Sequence, residues 1–191
     1  VREIPNDPPK IRQYFRRLAT RGPIEAVYEA GCLGFVLHRQ LASLGVECMV
    51  AAPSRIPILP GDHRKTDRLD AERLALFLRG RQLTAVRPPT KETEALRSLV
   101  RTRIATQEDV VRARHRLQKF LLLRGEIYRE TGNWSAAHMR WIGERKLELG
   151  EDQLSLDFLR LELDQRVMAL KMLDERIGRR FLNAGIGFGG S

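Results

Sequence analysis

Asp67 and Asp70 stand three residues apart in Thr66-Asp67-Arg68-Leu69-Asp70-Ala71, a spacing that puts both carboxylates on one side of a helix start. Glu29 closes a short apolar run, Ile24 to Glu29, that reads as a strand. Active sites of open α/β sheets gather at the carboxyl ends of strands. Three carboxylates converging there would suit Mg²⁺, a hard ion that takes oxygen ligands. Two such ions can clamp the attacking and leaving oxygens in phosphodiester chemistry. The plainer reading is structural. Asp67 would be a helix N-cap, Asp70 its acidic first-turn complement, and Glu29 a polar strand end. The pattern alone leaves both open.

Other chemistries find less support. His38, His63, His115 and His138 are scattered and share no metal-ligand spacing. Ser54 and Ser135 lack a nucleophile-elbow context, and Gly185, Gly187, Gly189 and Gly190 follow no strand that would make them a dinucleotide loop. Cys32 and Cys48 form neither a disulfide framework nor a zinc cluster.

A second feature is cationic. From Lys91 to Arg124 there is no Gly or Pro, and nine basic residues face four acidic ones. This predicts one helix of roughly 50 Å at about 1.5 Å per residue. Arg97, Arg101, Arg112, Arg116 and Lys119 fall on roughly one face, because spacings of about 4 and 11 return to the same side. Such a stripe can track a phosphate backbone. The alternative is a solvated helix face rich in arginine, itself a good helix former.

The elements that must position these residues follow from pattern. Val1 to Ile4 reads as the end of a strand. Asp7 before Pro8-Pro9 starts a helix that Gly22-Pro23 stops. Strand Ile24–Glu29, helix Leu33–Leu44 and strand Val46–Ala52 then predict an α/β unit whose last two strands pair in parallel. Leu69 to Leu78 predicts a helix ended by Gly80, and Leu83 to Val86 a short extended stretch. Gly125 to Trp141 breaks the helical region. A second long helix runs from about Gln153 to Phe181, with Leu156, Leu163, Leu170 and Ile177 repeating every seven residues. Leu159 and Leu173 are offset by three, and Arg166 and Arg180 interrupt the seam. The two long helices predict an antiparallel hairpin or a dimer interface. The expected division is 1–90, 91–182 and a disordered glycine-rich tail, 183–191.

Composition bounds the class. The chain has 191 residues, 42% of them hydrophobic, enough for a packed core. No apolar run approaches the ~18 residues of a membrane span, and no secretory signal pattern opens the chain. The expectation is a soluble, cytosolic protein. The net charge of +10, largely from arginine, points to a polyanion partner, above all nucleic acid.

Several elements occur together in order. These are Tyr28-Glu29-Ala30-Gly31; Leu41-Ala42-Ser43-Leu44-Gly45-Val46-Glu47-Cys48 leading to Ala52-Pro53-Ser54; and Lys65-Thr66-Asp67-Arg68-Leu69-Asp70-Ala71. Together they resemble the RuvC-like DEDD transposases of bacterial insertion sequences, the IS-one-ten family. Its members recombine DNA with a structured guide (bridge) RNA. The resemblance runs from about Val1 to Ile177.

It implies an RNase H-like fold with a four-carboxylate Mg²⁺ site, in which Glu29, Asp67 and Asp70 match the glutamate and the last two aspartates. Lys65 and Arg68 lie in the same motif and could meet phosphate or RNA. The long helices resemble the family's coiled-coil segment, which helps assemble subunits and implies a homo-oligomer. A nucleoid-associated, cytoplasmic location is expected. The family's first aspartate and its serine-bearing C-terminal domain match no residue here. The expectation is therefore an incomplete RuvC-like domain with a helical hairpin, inactive on its own. Two alternatives stand beside it. One is a non-enzymatic nucleic-acid-binding or assembly module. The other is a stand-alone RuvC-like Mg²⁺ nuclease with Asp62 as the fourth carboxylate.

Overall fold

The fold is that of a computed structural model, which describes residues 3–32, 34–57, 66–130 and 132–183, the last three by backbone alone. It is mixed α/β, mostly helical, and divides into two compact units, Val1–Pro89 and Thr90–Ser191.

In the first unit, helix α1 (Pro8–Ala19) starts on a proline whose missing N–H costs nothing in a first turn. Asp7 occupies the N-cap position, but its side chain makes no capping bond. Strand β1 (Glu25–Glu29), helix α2 (Val36–Ala42) and strand β2 (Glu47–Ala51) follow. The strands pair in parallel from Glu25 opposite Glu47 to Glu29 opposite Ala51, as the β-α-β order requires. Ile11, Leu41, Val46 and Cys48 form the buried centre, flanked by Phe15, Ile24, Tyr28 and Leu37. Helix α3 (Asp67–Arg79) ends at Gly80. Beyond it the chain runs beside β2. Ala85 bridges Ala51 antiparallel, the Val86 N–H donates to the Val50 carbonyl at 2.7 Å, and Ala52 N–H donates to Thr84 O at 2.9 Å. The predicted extended stretch exists because β2 has a free edge there.

Two expectations for this unit change. Glu3 and Ile4 are not in a strand, and Val1 and Arg2 lie outside the described residues, so the sheet has two strands among those described. Helix α2 begins at Val36 and not at Leu33: Gly34, at φ 58, still belongs to the turn.

In the second unit, α4 (Lys91–Leu123) is unbroken for 33 residues, capped by Thr90, whose Oγ1 accepts from Thr93 N–H at 3.2 Å. The predicted break after it contains a further helix, α5 (Ala136–Gly143), nucleated by Ser135, whose hydroxyl accepts from the His138 N–H at 3.2 Å. Helix α6 (Gly150–Asn183) begins one turn earlier than its apolar pattern suggests.

Helices α4 and α6 lie antiparallel. Arg103 meets Asp174, Arg166 meets Asp109, Arg116 meets Glu162 and Arg124 meets Asp152, at 2.5–3.3 Å. Each step forward on α4 matches a comparable step back on α6. Their shared core is Val110, Ala113, Leu117 and Leu121 of α4 against Leu156 and Leu163 of α6, closed by Ile142 of α5. The predicted seam thus buries Leu156 and Leu163, with Leu159 and Leu170 half-buried against it. Arg166 sits in that seam because Asp109 receives its guanidinium. The tail from Ala184 on lies outside the described residues.

Candidate functional site

Glu29 is the last residue of β1 and is exposed. The ladder continues one step past it, with Ala30 N–H donating to Ala51 O at 2.9 Å. Tyr28, of the same Tyr-Glu-Ala-Gly element, donates its hydroxyl to the Gly34 carbonyl at 2.9 Å. That bond pins the loop that leaves the strand end. From helix α2, His38 Nδ1 lies 2.9 Å from the carbonyl oxygen of Cys48 on the neighbouring strand β2. His38 is therefore engaged with backbone. Burial pushes the Cys48 thiol up to about 11, which leaves it protonated and unreactive at neutral pH. Both cysteines are unpaired.

At the start of α3 the N-cap is Thr66 and not Asp67. Thr66 Oγ1 accepts from Leu69 N–H at 3.3 Å. This corrects the capping reading of the two aspartates. Asp67 and Asp70 both lie in the first turn, where their charge complements the helix dipole, but the orphan amide is satisfied without them. Asp67 is exposed and Asp70 half-buried, 3.8 Å from Arg73. Arg68 is exposed and turned to Glu72 at 3.2 Å. Lys65 and Asp62 lie outside the described residues. Among the described residues, no three His, Cys, Asp or Glu come together closely enough to hold a metal ion. Glu29, Asp67 and Asp70 are thus set at a strand end and a helix start without forming a cation cage, and the described geometry does not by itself fit Mg²⁺.

The cationic stripe on α4 divides in two. Arg112 is held by Asp109 at 2.7 Å and Glu108 at 3.6 Å. Its hydrogen bond keeps the Asp109 carboxyl below the usual range. Arg116 is held by Glu162 at 2.5 Å. Arg97, Arg101 and Lys119 are exposed and meet no carboxylate among the described residues. The face open to phosphate is therefore narrower than helical spacing alone suggests.

Pattern reading missed the aromatic cluster around His138. The imidazole is buried and stacks on Tyr128 at 4.4 Å and Trp141 at 5.8 Å between ring centres. Its Nδ1 accepts the Trp134 backbone N–H at 2.9 Å, and Arg114 lies over the Trp134 ring at 5.4 Å. Desolvation lowers the His138 pKa. The signal was present in the sequence as Trp134 just before Ser135, with His138 and Trp141 three residues apart after it.

Comparison with known proteins assigns the class. A family model described as a transposase, of the DEDD type found in IS110 elements, matches residues 1–124. The chain belongs to this transposase family. The y4qE protein of Sinorhizobium fredii (strain NBRC 101917 / NGR234), whose name assigns it as a transposase, is 43% identical over 129 residues, covering 68% of this chain and 33% of that protein. The transposase for insertion sequence element IS1533 of Leptospira borgpetersenii is 31% identical over 180 residues, covering 92% of this chain and 51% of its own length. The chain thus spans a third to a half of these relatives. No solved structure matches it. The parallel β1–β2 pair with its helices fits the RNase H-like domain of DEDD transposases. Among the described residues, no helix is long and apolar enough to cross a membrane.

Proposed function

We propose that this chain is the RuvC-like and helical portion of a DNA-recombining transposase that works with a structured guide RNA. Residues 1–90 would form the RuvC-like domain and 91–182 a coiled-coil segment. Glu29, Asp67 and Asp70 would be Mg²⁺-holding carboxylates in the whole enzyme. Such an ion, when bound, supplies charge neutralisation at the scissile phosphodiester. The observation that carries this reading is the placement of all three carboxylates at strand and helix ends, while Thr66 takes over the capping that would otherwise explain Asp67.

Because the three carboxylates form no cage as they stand, the chain alone holds Mg²⁺ weakly and does not recombine DNA. Calorimetric titration with Mg²⁺, and incubation with Mg²⁺, guide RNA and target DNA, test this. Recombinant product from this chain alone overturns it. In the whole transposase, Glu29→Gln, Asp67→Asn and Asp70→Asn should each abolish strand cleavage without changing nucleic-acid affinity.

A second reading rests on Arg97, Arg101 and Lys119. These exposed cations suit a non-enzymatic role in which the helical unit holds nucleic acid and assembles subunits in the nucleoid. RNA affinity that falls on reversing the three cations, in a whole transposase whose strand cleavage is unmoved by Glu29→Gln, Asp67→Asn and Asp70→Asn, favours it.

A further inference from the structure

Helix α6 carries two apolar lines. Leu156 and Leu163 face α4 and are buried. Leu154, Phe158, Leu161, Met168 and Met172 lie on the opposite side, 58%, 63%, 51%, 66% and 62% exposed. Their spacings, four, three, seven and four, are those of a second heptad seam, and only Gln165 interrupts it. The line extends about 27 Å along the helix at about 1.5 Å per residue. A run of large apolar side chains this exposed marks an interaction surface.

We propose that this face pairs with the same face of a second copy of the chain, with the two α6 helices antiparallel. The proposal rests on the reading above that the helical unit assembles subunits, and it names the face and the orientation.

Charge selects the partner. From 150 to 166, α6 has five acidic and two basic residues; from 167 to 183 it has two acidic and four basic. Antiparallel pairing lays the acidic half of each copy along the basic half of the other. One register aligns every seam position: Leu154 with Met172, Phe158 with Met168, and Leu161 with Gln165 of the second copy. A single polar seam residue such as Gln165 fixes register in helix pairs. On the flank, Asp157 falls opposite Lys171, twice by symmetry. A parallel, in-register pair would instead set Asp157 beside Glu162 and Lys171 beside Arg176, both like-charged. The antiparallel pair has two unfavourable features near the two-fold axis: Asp164 faces its own counterpart on one flank and Glu162 faces its own on the other, although Arg116 of the same copy already holds Glu162.

Sedimentation equilibrium and cysteine cross-linking, without nucleic acid, test this. The wild-type chain should be dimeric, and Leu161→Glu with Met168→Glu should make it monomeric with unchanged helical circular dichroism. Asp164→Asn should tighten the dimer several-fold; in a parallel pair Asp164 would lie beside Ala169 and the change would do nothing. In a Cys32→Ser background, Phe158→Cys and Met168→Cys chains should cross-link when mixed and not singly. A wild-type monomer overturns both the pairing and the assembly reading. A dimer that persists in the double glutamate variant overturns this face alone. Self-linking of each cysteine variant overturns the antiparallel orientation alone.

Discussion

The Nδ1 of His138 accepts the backbone N–H of Trp134 at 2.9 Å, and Trp134 holds φ at 67°, a left-handed conformation rare for an aromatic residue. One imidazole nitrogen therefore secures a strained turn between the two long helices. Only the deprotonated nitrogen can accept.

A pH dependence follows. Burial lowers the His138 pKa from its ordinary 6.5. In the unfolded chain the ring binds its proton near 6.5, and in the folded chain only at lower pH. The stabilisation is complete above that value and declines as pH falls from about 6.5 toward the lower folded pKa. Thermal unfolding followed between pH 5 and 7.5 should show Tm rising with pH. His138→Phe should flatten that rise and lower stability by about 1–3 kcal/mol, because the Trp134 amide loses its acceptor.

The start of α3 separates capping from chemistry. Thr66→Ala removes the acceptor for Leu69 N–H and should lower stability by about 1 kcal/mol. Asp67→Asn should change it by less, about 0.3–1 kcal/mol through the dipole term alone. Denaturant unfolding of the two variants checks the order.

Leu117 is wholly buried where α4 packs against α5 and α6. Leu117→Ala should cost about 2–5 kcal/mol. Leu122→Ala on the same helix, half-exposed, should change stability within about 0.5 kcal/mol. Calorimetry on both chains tests whether the packing face of α4 is the one described.

Nucleic-acid affinity should respond unevenly along the stripe. Reversing Arg97, Arg101 and Lys119 to Glu should weaken binding and flatten its salt dependence, by about 0.9 in log–log slope for each B-DNA phosphate no longer neutralised. Neutralising Arg112 or Arg116 should do less, since Asp109 and Glu162 already hold them. Titrations at several salt concentrations give both quantities.

The sequence disclosed elements better than partners. Parallel pairing of β1 and β2 was legible because short β-rich runs flank a helix, and the long helices because Gly and Pro are absent from 91 to 124. Alternation could not show that Thr66 caps α3. Thr66 and Asp67 are both good caps one residue apart, and backbone geometry decides between them. Helix α5 was hidden by Gly132 and by its brevity: eight residues held by packing and one serine cap, not by propensity. The division of the cationic stripe is half local: Glu108 and Asp109 hold Arg112 at a spacing the sequence carries, whereas Glu162 of α6 holds Arg116, and spacing within α4 has no record of that. The carboxylates were found as a motif, yet no spacing rule states how far apart a strand end and a helix start will lie.

The ion pairs between the long helices are directional. At three of the four, α4 gives the arginine and α6 the carboxylate: Arg103 with Asp174, Arg116 with Glu162 and Arg124 with Asp152. A sign change at one member leaves two like charges facing each other until the other changes too. In lineages that share this helix pair, these positions should therefore covary, with reversals arriving as couples. The ladder would be written into family history as correlated replacements, even where neither residue is individually retained.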